Sequence, residues 1–270
     1  KKNISIIFKN KIERFGMNYI ETHAHLDMIK RETATVIADA NQKGVNKIIT
    51  VGIDLESSQS IIHYPLKYKG IYTAVGFHPH ESKGLSPDKL MVLEKLAQST
   101  GNVAIGEIGL DYYYQHSPME IQKSVFRMQL DLARKLQLPV LIHDRDAHLD
   151  TIKILDEKAQ GLKIILHCFS GDLKMAQWCA QKGFYLGIGG VVTFKNAQKL
   201  RKIVETIPLK QLLLETDSPF LTPHPYRGKS NEPQNIPIIA QKIAEVKGVD
   251  LKQIAAQTTQ NANVIFEWYD

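Results

Sequence analysis

Six side chains able to ligate a divalent metal recur at similar places in this 270-residue sequence. His23 and His25 stand two apart, and in a strand alternate residues share a face, so both imidazoles point the same way. Glu107 follows Val103-Ala104-Ile105-Gly106, His143 follows Val140-Leu141-Ile142, and His167 follows Ile164-Ile165-Leu166. Asp217 closes the run that begins Leu212-Leu213-Leu214-Glu215. A single histidine after an apolar run is often a hydrogen-bonded structural residue. Six metal-ligating residues placed alike are not explained that way, and an acid behind an apolar run needs a cation or hydrogen bonds to offset its desolvation. Four imidazoles and two carboxylates exceed the three protein ligands plus water of a single zinc site. The surplus implies two divalent ions sharing a carboxylate, which is a hydrolytic arrangement.

Residues so far apart in sequence can meet only if the fold gathers the ends of their strands. Short β-rich runs begin near Tyr19, Lys47, Ile71, Val103, Val140, Lys163, Phe184 and Leu212. Between them, helical apolar spacing marks Ala34 to Lys43, Leu90 to Ala97, Met119 to Leu136, Leu173 to Lys182 and Ala197 to Thr206. The tail from Ile236 to Phe266 also reads as helical. Eight strands alternating with helices predict an α/β fold, a single (β/α)8 TIM-type barrel. A doubly wound open sheet shows the same alternation. The polar residues favour the barrel, because its strand ends all converge on one face, where barrel enzymes keep their active sites.

The bulk composition adds bounds. The net charge is +6, but residues 1–16 carry Lys1, Lys2, Lys9, Lys11 and Arg14 against Glu13, leaving +2 for the rest. The basic balance is therefore no sign of a long nucleic-acid footprint. Two cysteines, Cys168 and Cys179, do not make a disulfide framework. No apolar stretch approaches the roughly 20 residues of a membrane span. The expectation is a cytoplasmic monomer with no membrane contact. Residues 1–16 read as an extension outside the barrel, with Met17 a candidate start, and residues 17–270 as the hydrolase barrel.

The chain resembles the TatD family of metal-dependent deoxyribonucleases, in the amidohydrolase superfamily. The matching runs are ETHAHLD (21–27), VGFHPHE (75–81), AIGEIGLDYY (104–113), PVLIHDRDA (139–147), ILHCFSG (165–171), ETDSPFLTP (215–223) and RGKSNEP (227–233). The resemblance implies that His23 and His25 hold one ion with Asp217 nearby, that His143 and His167 hold the second, and that Glu107 bridges them. It also implies hydrolysis of DNA, commonly from the 3′ end of single strands. The family often has a small residue where Asp144 follows His143. Asp217, close to the attacking water, would then be the general base. The metal could be Zn, Mn, Mg, Co or Fe.

Other residues at the same face have a chemical and a plain reading. His78 and His80 could touch substrate phosphate or simply order their loop. Arg145 and Arg227 suit phosphate, since guanidinium forks match its oxygens; the alternative is ion pairing with Asp144, Asp146 or Glu232. Tyr112, Tyr113 and Tyr114 could stack on bases, but packing against neighbouring loops is the plainer expectation. Strand alternation points Cys168 away from the metals, as a small buried hydrophobe. Asn231-Glu232-Pro233 is expected to shape the last loop and cap the next helix.

Two rival functions share these residues. One is amide or ester hydrolysis by the same two-metal site, as in an aminoacyl-tRNA deacylase or another amidohydrolase. Phosphotriesterase-like members bridge their metals with a carboxylated lysine on strand four, and here that strand offers Glu107 instead. The other rival is a non-catalytic metal-binding module, which the intact ligand set argues against. Deleting residues 1–16 is expected to leave folding and hydrolysis intact. A fall in melting temperature of more than a few degrees in the truncated protein would show that the segment belongs to the core.

Overall fold

The computed structural model describes residues 16–268; the predicted extension lies almost wholly outside them. Eight strands alternate with helices: β1 (Tyr19–Ala24), β2 (Val45–Val51), β3 (Ile71–Val75), β4 (Asn102–Asp111), β5 (Val140–Arg145), β6 (Ile164–Leu166), β7 (Tyr185–Ile188) and β8 (Leu212–Leu214). All neighbours pair in parallel, in the order β1 to β8. The first and last strands meet through a parallel bridge between Ala24 and Ser218. The Asp217 amide donates to the His23 carbonyl at 2.9 Å and the His25 amide to the Ser218 carbonyl at 2.8 Å. The fold is a (β/α)8 barrel, as the strand rhythm predicts.

Ten helices are described: α1 (Thr33–Gln42), α2 (Leu55–Ile61), α3 (Tyr64–Lys67), α4 (Pro87–Ala97), α5 (Met119–Leu136), α6 (His148–Lys158), α7 (Leu173–Lys182), α8 (Gln198–Thr206), α9 (Ile236–Lys247) and α10 (Leu251–Phe266). Their starts follow capping chemistry. Asp54 accepts from the Ser57 amide in a capping box, and Ser86, Asp172 and Asp250 accept from the amides of Lys89, Met175 and Lys252. The tail expected to be helical is two helices, because Gly248 adopts a left-handed conformation and ends α9.

Two apolar layers hold the barrel. Ile20, Ile49, Tyr72, Val103, Leu141, Ile165 and Leu213 come from seven strands and pack in one cluster, which is possible only inside the barrel. Ala262, Ile265 and Phe266 of α10 join them, so the C-terminal helix closes the floor opposite the strand ends. The larger cluster lies between sheet and helices and includes Val36, Leu93, Phe126, Leu130, Ile154 and Ile243. With the floor filled by side chains, only the opposite end is open for chemistry.

Helix α5 also positions the mouth by polar means. Gln129 Nε2 donates to the Phe77 carbonyl at 3.0 Å, and its Oε1 accepts from the Phe77 amide at 2.7 Å. Gln122 accepts from the Asp111 amide at 2.8 Å and donates to the carbonyls of Asp111 and Ser117 at 3.0 and 2.8 Å. Both glutamines are fully buried, so each fastens a strand-end loop that cannot turn to water for its hydrogen bonds. Gln122→Leu strands three buried backbone groups and is expected to destabilise the protein by roughly 2 to 3 kcal/mol. The loss should appear as a lower urea midpoint at an unchanged slope; an unchanged midpoint would show that these bonds are dispensable.

Candidate metal centre

Glu107 lies at the centre of the mouth with 3% of its surface exposed. Its Oε1 is 2.6 Å from His167 Nε2, 2.7 Å from His143 Nδ1 and 3.6 Å from His78 Nε2. Its Oε2 is 3.4 Å from His23 Nε2 and 3.8 Å from His25 Nε2. Five imidazoles thus surround one carboxylate. Asp217 joins on the β8 side, its Oδ1 3.6 Å from His25 Nε2.

The strand-end placement needs three corrections. Glu107 does not end β4; the strand runs on to Asp111, after a shift of register between Ile105 and Ile108. This close pairing with β5 requires Gly109, whose φ is +141° and whose added Cβ would lie 2.0 Å from the His143 carbonyl oxygen. His143 likewise precedes the end of β5 at Arg145. Asp217 lies beyond β8, which stops at Leu214, on a turn where its own backbone is left-handed.

Around the carboxylate, polar partners fix each ring. The His25 Nδ1–H donates to the Val51 carbonyl at 2.8 Å, which turns Nε2 inward. His143 spans two acids, with Nε2 3.0 Å from Asp111 Oδ2. His80 Nε2 is also 3.0 Å from Asp111 Oδ2. His23 stacks on His167 with centroids 3.9 Å apart, and His78 meets His143 edge-on at 4.5 Å. Beneath them, Glu21 accepts from the amides of His23 and Thr216 at 3.0 and 2.9 Å. Glu215 lies 3.8 Å from His167 Nδ1. Gly187 makes room for it, because a Cβ there would meet Glu215 Oε2 at 2.1 Å.

Burial and charge oppose each other across this cluster. Burial pushes His23 down to about 4, helped by His167. It pulls His78 well below its ordinary value despite Glu107. Burial would lift Glu107, but the surrounding imidazoles, His167 and His78 foremost, hold it well below the usual carboxylate range. Burial lifts Glu215 to about 7 and raises Glu21 well above its ordinary value. At neutral pH the cluster therefore offers an anionic Glu107 together with neutral imidazoles at His23 and His78.

That donor set fits divalent ions. His23 Nδ1 and Nε2 and His167 Nδ1 are buried with no hydrogen-bond partner, which is costly for a nitrogen lone pair unless it is ligated. Three groups bring their donor atoms within 4.8 Å of one another: His23, His25 and Glu107; His78, Glu107 and His143; and His23, His167 and Asp217. Neutral imidazole and ionised carboxylate are the donors zinc and its neighbours take.

All six expected ligands converge here. The expected pairs are adjacent: His143 Nδ1 lies 3.4 Å from His167 Nε2, and both are within 2.7 Å of Glu107 Oε1, while His78 joins Glu107 and His143 in a group the sequence reading leaves out. His78 is thus a buried member of the cluster rather than a rim residue. Asp111, Glu21 and Glu215 were not singled out in the sequence. Asp111 had a readable signal: it stands four after Glu107, an even step along a strand.

The remaining residues divide. Arg145 makes no ion pair among the described residues; Asp144 is taken by His148 Nδ1 at 2.5 Å and Thr151 Oγ1 at 3.0 Å. Its guanidinium carbon instead lies 4.2 and 4.8 Å from the ring centroids of Tyr113 and Tyr114. Arg227 stacks at 4.0 Å on Phe194 and donates to the Thr222 carbonyl, while Glu232 pairs with Arg31 at 2.7 Å. The expected packing of the tyrosines holds for Tyr112, whose hydroxyl meets Asp150 at 2.7 Å, but Tyr113 and Tyr114 are 58% and 51% exposed. Cys168 is half-buried, not a core residue. The strand has ended at Leu166 and its own backbone is left-handed, so alternation no longer directs it. Burial first, then Asp217, Glu215 and Glu107, push its thiol well up. Asn231 shapes the last loop as expected, bonding the Thr216 and Phe220 carbonyls, but Glu232 caps nothing.

Comparison with known proteins agrees with this centre. The family model described as TatD related DNase matches residues 20–267. A Bacillus subtilis protein named uncharacterized metal-dependent hydrolase YabD is 43% identical over 91% of this chain and 98% of its own length. The Salmonella typhimurium protein named 3′-5′ ssDNA/RNA exonuclease TatD is 36% identical, over 86% of this chain and 92% of its own. The crystal structure of YJJV, a TatD homolog from Escherichia coli K12, superposes with a TM-score of 0.87 at 29% identity, covering 93% of this chain and 98% of that one. With a family model spanning nearly all the described residues and relatives matched over almost their full length, the chain belongs to the TatD-related DNase family of metal-dependent hydrolases.

Proposed function

We propose that the protein hydrolyses phosphodiester bonds of DNA with two divalent ions, removing nucleotides from the 3′ end of single strands. The observation that carries this reading is Glu107, a carboxylate shared by two groups of side chains placed to hold a metal ion. His23, His25 and Asp217 would hold one ion, His143 and His167 the other with His78 beside them, and Glu107 would serve both. When bound, such ions lower the pKa of a water and neutralise charge developing on phosphoryl oxygens.

The side chains divide the remaining work. The imidazoles, above all His25 beside it, hold Asp217 below the usual carboxylate range against the lift of burial, so its Oδ atoms stay free to accept a proton from the attacking water. Arg145 and Arg227 are braced on aromatic rings rather than on acids, which leaves guanidinium N–H edges for phosphate oxygens. His80, locked to Asp111, lies at the edge of the cluster toward the substrate, and His78 supports it from within. The relative named as a 3′-5′ ssDNA/RNA exonuclease supports the choice of substrate.

Two variants separate holding metal from moving protons. Glu107→Ala is expected to lose at least one ion by elemental analysis and nearly all turnover while remaining folded. Asp217→Asn should lose turnover far more than metal. Full metal content in the Glu107 variant would remove the bridging role.

Substrate form is tested by end-labelled linear single strand, linear duplex and closed circular single strand. The linear single strand should be cut fastest and the duplex slowly, because two ions deep in a barrel mouth reach a threaded terminus and not a rigid helix. Salt dependence should be shallow, since few phosphates are contacted. Rapid cutting of the circle would refute end-dependent action. Failure on every nucleic acid with turnover of a small ester would favour carbonyl hydrolysis instead.

A further inference from the structure

Three large rings stand exposed at the mouth: Tyr113 and Tyr114 after β4 and Phe220 after β8, the last 51% exposed. One exposed ring on a surface needs no explanation. These are different in three respects. In an eight-stranded barrel ordered β1 to β8, strands four and eight lie directly across from each other, so the segments that carry the rings leave opposite sides of the barrel mouth. Phe220 is 6.3 Å from His25 and Tyr114 is 5.5 Å from His80, both edge-on, and Tyr113 adjoins Tyr114 at 4.8 Å. Each is also tied to a carboxylate-bearing residue of the site. The Phe220 amide donates to the Asp217 carbonyl at 2.8 Å, and its carbonyl accepts from the buried Asn231 at 2.7 Å. The amides of Tyr113 and Tyr114 both donate to Asp111 Oδ1, at 3.0 and 2.9 Å.

We propose that Phe220 and Tyr113 are a pair of base-stacking platforms that grip the nucleotides on either side of the phosphodiester being cut. The inference rests on the nuclease reading and deepens it. Tyr113 carries the Arg145 guanidinium over its ring, with Tyr114 at right angles beside it; at 58% exposed it offers a base a ring with a cation next to it for the phosphate. Phe220 is held three residues from Asp217 by the same turn, so a base on its ring sets the scissile phosphate against the cluster. Rings read any base by its π-face, so the grip is indifferent to sequence. It does require unpaired, unstacked bases. Duplex DNA offers none except where its ends fray, so these rings give the single-strand preference a physical source.

The test uses the metal-loaded protein and three single-stranded oligonucleotides: fully based, abasic at the 3′-terminal nucleotide, and abasic at the penultimate one. First-cleavage kcat/KM is read for each. The wild type is expected to lose on the order of tenfold at each abasic position, the scale of one base–aromatic stack. Phe220→Leu should abolish that discrimination at one position only, and Tyr113→Leu at the other only. Phe220→Trp and Tyr113→Phe should restore it. Because each ratio is taken within one variant, a general loss of activity does not imitate the result, and metal content with melting temperature confirms folding. Indifference of the wild type to both abasic positions would overturn the proposal. So would two leucine variants that affect the same position, or that affect neither. A wild type that turns over no oligonucleotide but cleaves a small ester would instead overturn the nuclease reading itself.

Discussion

The structure turns on one buried negative charge. An isolated carboxylate out of water is so unfavourable that it would take up a proton. Glu107 keeps its charge because five imidazoles crowd its two oxygens. Those imidazoles come from β1 and the residue just after it, the loop after β3, β5 and the residue after β6, so the stability of a single side chain depends on the closure of half the barrel. The same arrangement explains why some of the imidazoles stay neutral. Burial overrides the acid at His23 and His78, while His25 and His143, each touching a second carboxylate, are held up at about 9 against burial.

A charge cluster of this kind must be held rigidly, and the holding is polar rather than apolar. The seam between β8 and β1 is closed by backbone bonds of Asp217 and Ser218, by the Thr22 hydroxyl on the Leu214 carbonyl at 3.0 Å, and by Glu21 beneath. On the opposite side Gln122 and Gln129 reach in from α5 and fasten the segments that carry Asp111 and His78. Asn231 does the same for the turn of Asp217 and Phe220. Glu21, Thr22, Ser218, Gln122, Gln129 and Asn231 are all buried with hydrogen-bond partners, so the loops that carry chemistry are no more free than the strands below them.

The apolar floor and the polar mouth divide the barrel's labour. Interior aliphatic side chains and the end of α10 fill one end, which leaves charge, rings and cations concentrated at the other. The stacking of Arg145 on Tyr113 and of Arg227 on Phe194 belongs to the same economy. A guanidinium braced by an aromatic face keeps most of its N–H groups free of acids, Arg227 giving one to the Thr222 carbonyl, whereas one paired to Asp144 or Glu232 would not.

The eight strands, five of the helices between them and the convergence of the six candidate ligands were legible in the sequence, because apolar periodicity reports burial and a polar residue behind an apolar run reports a strand end. The starts of β3, β5 and β8 fall on the residues the pattern picked, Ile71, Val140 and Leu212. Helix α5 matches from Met119 to Leu136. What periodicity cannot carry is contact between elements. The extension of β4 past Glu107 depends on the close approach of Gly109 to β5, and that alone brings Asp111 into the cluster. The placement of His78 depends on its loop folding back over Glu107, and the positions of Cys168 and Asp217 on left-handed backbone beyond their strands. Which acid claims which cation was also decided in three dimensions: Asp144 went to His148 and Glu232 to Arg31, leaving both mouth arginines to aromatic rings. The sequence by itself determined that His23, His25, Glu107, His143, His167 and Asp217 would gather at one end of the barrel, since alternation and apolar runs are local properties. Only the tertiary structure decided their partners, because pairing depends on distances between strands that no local pattern records.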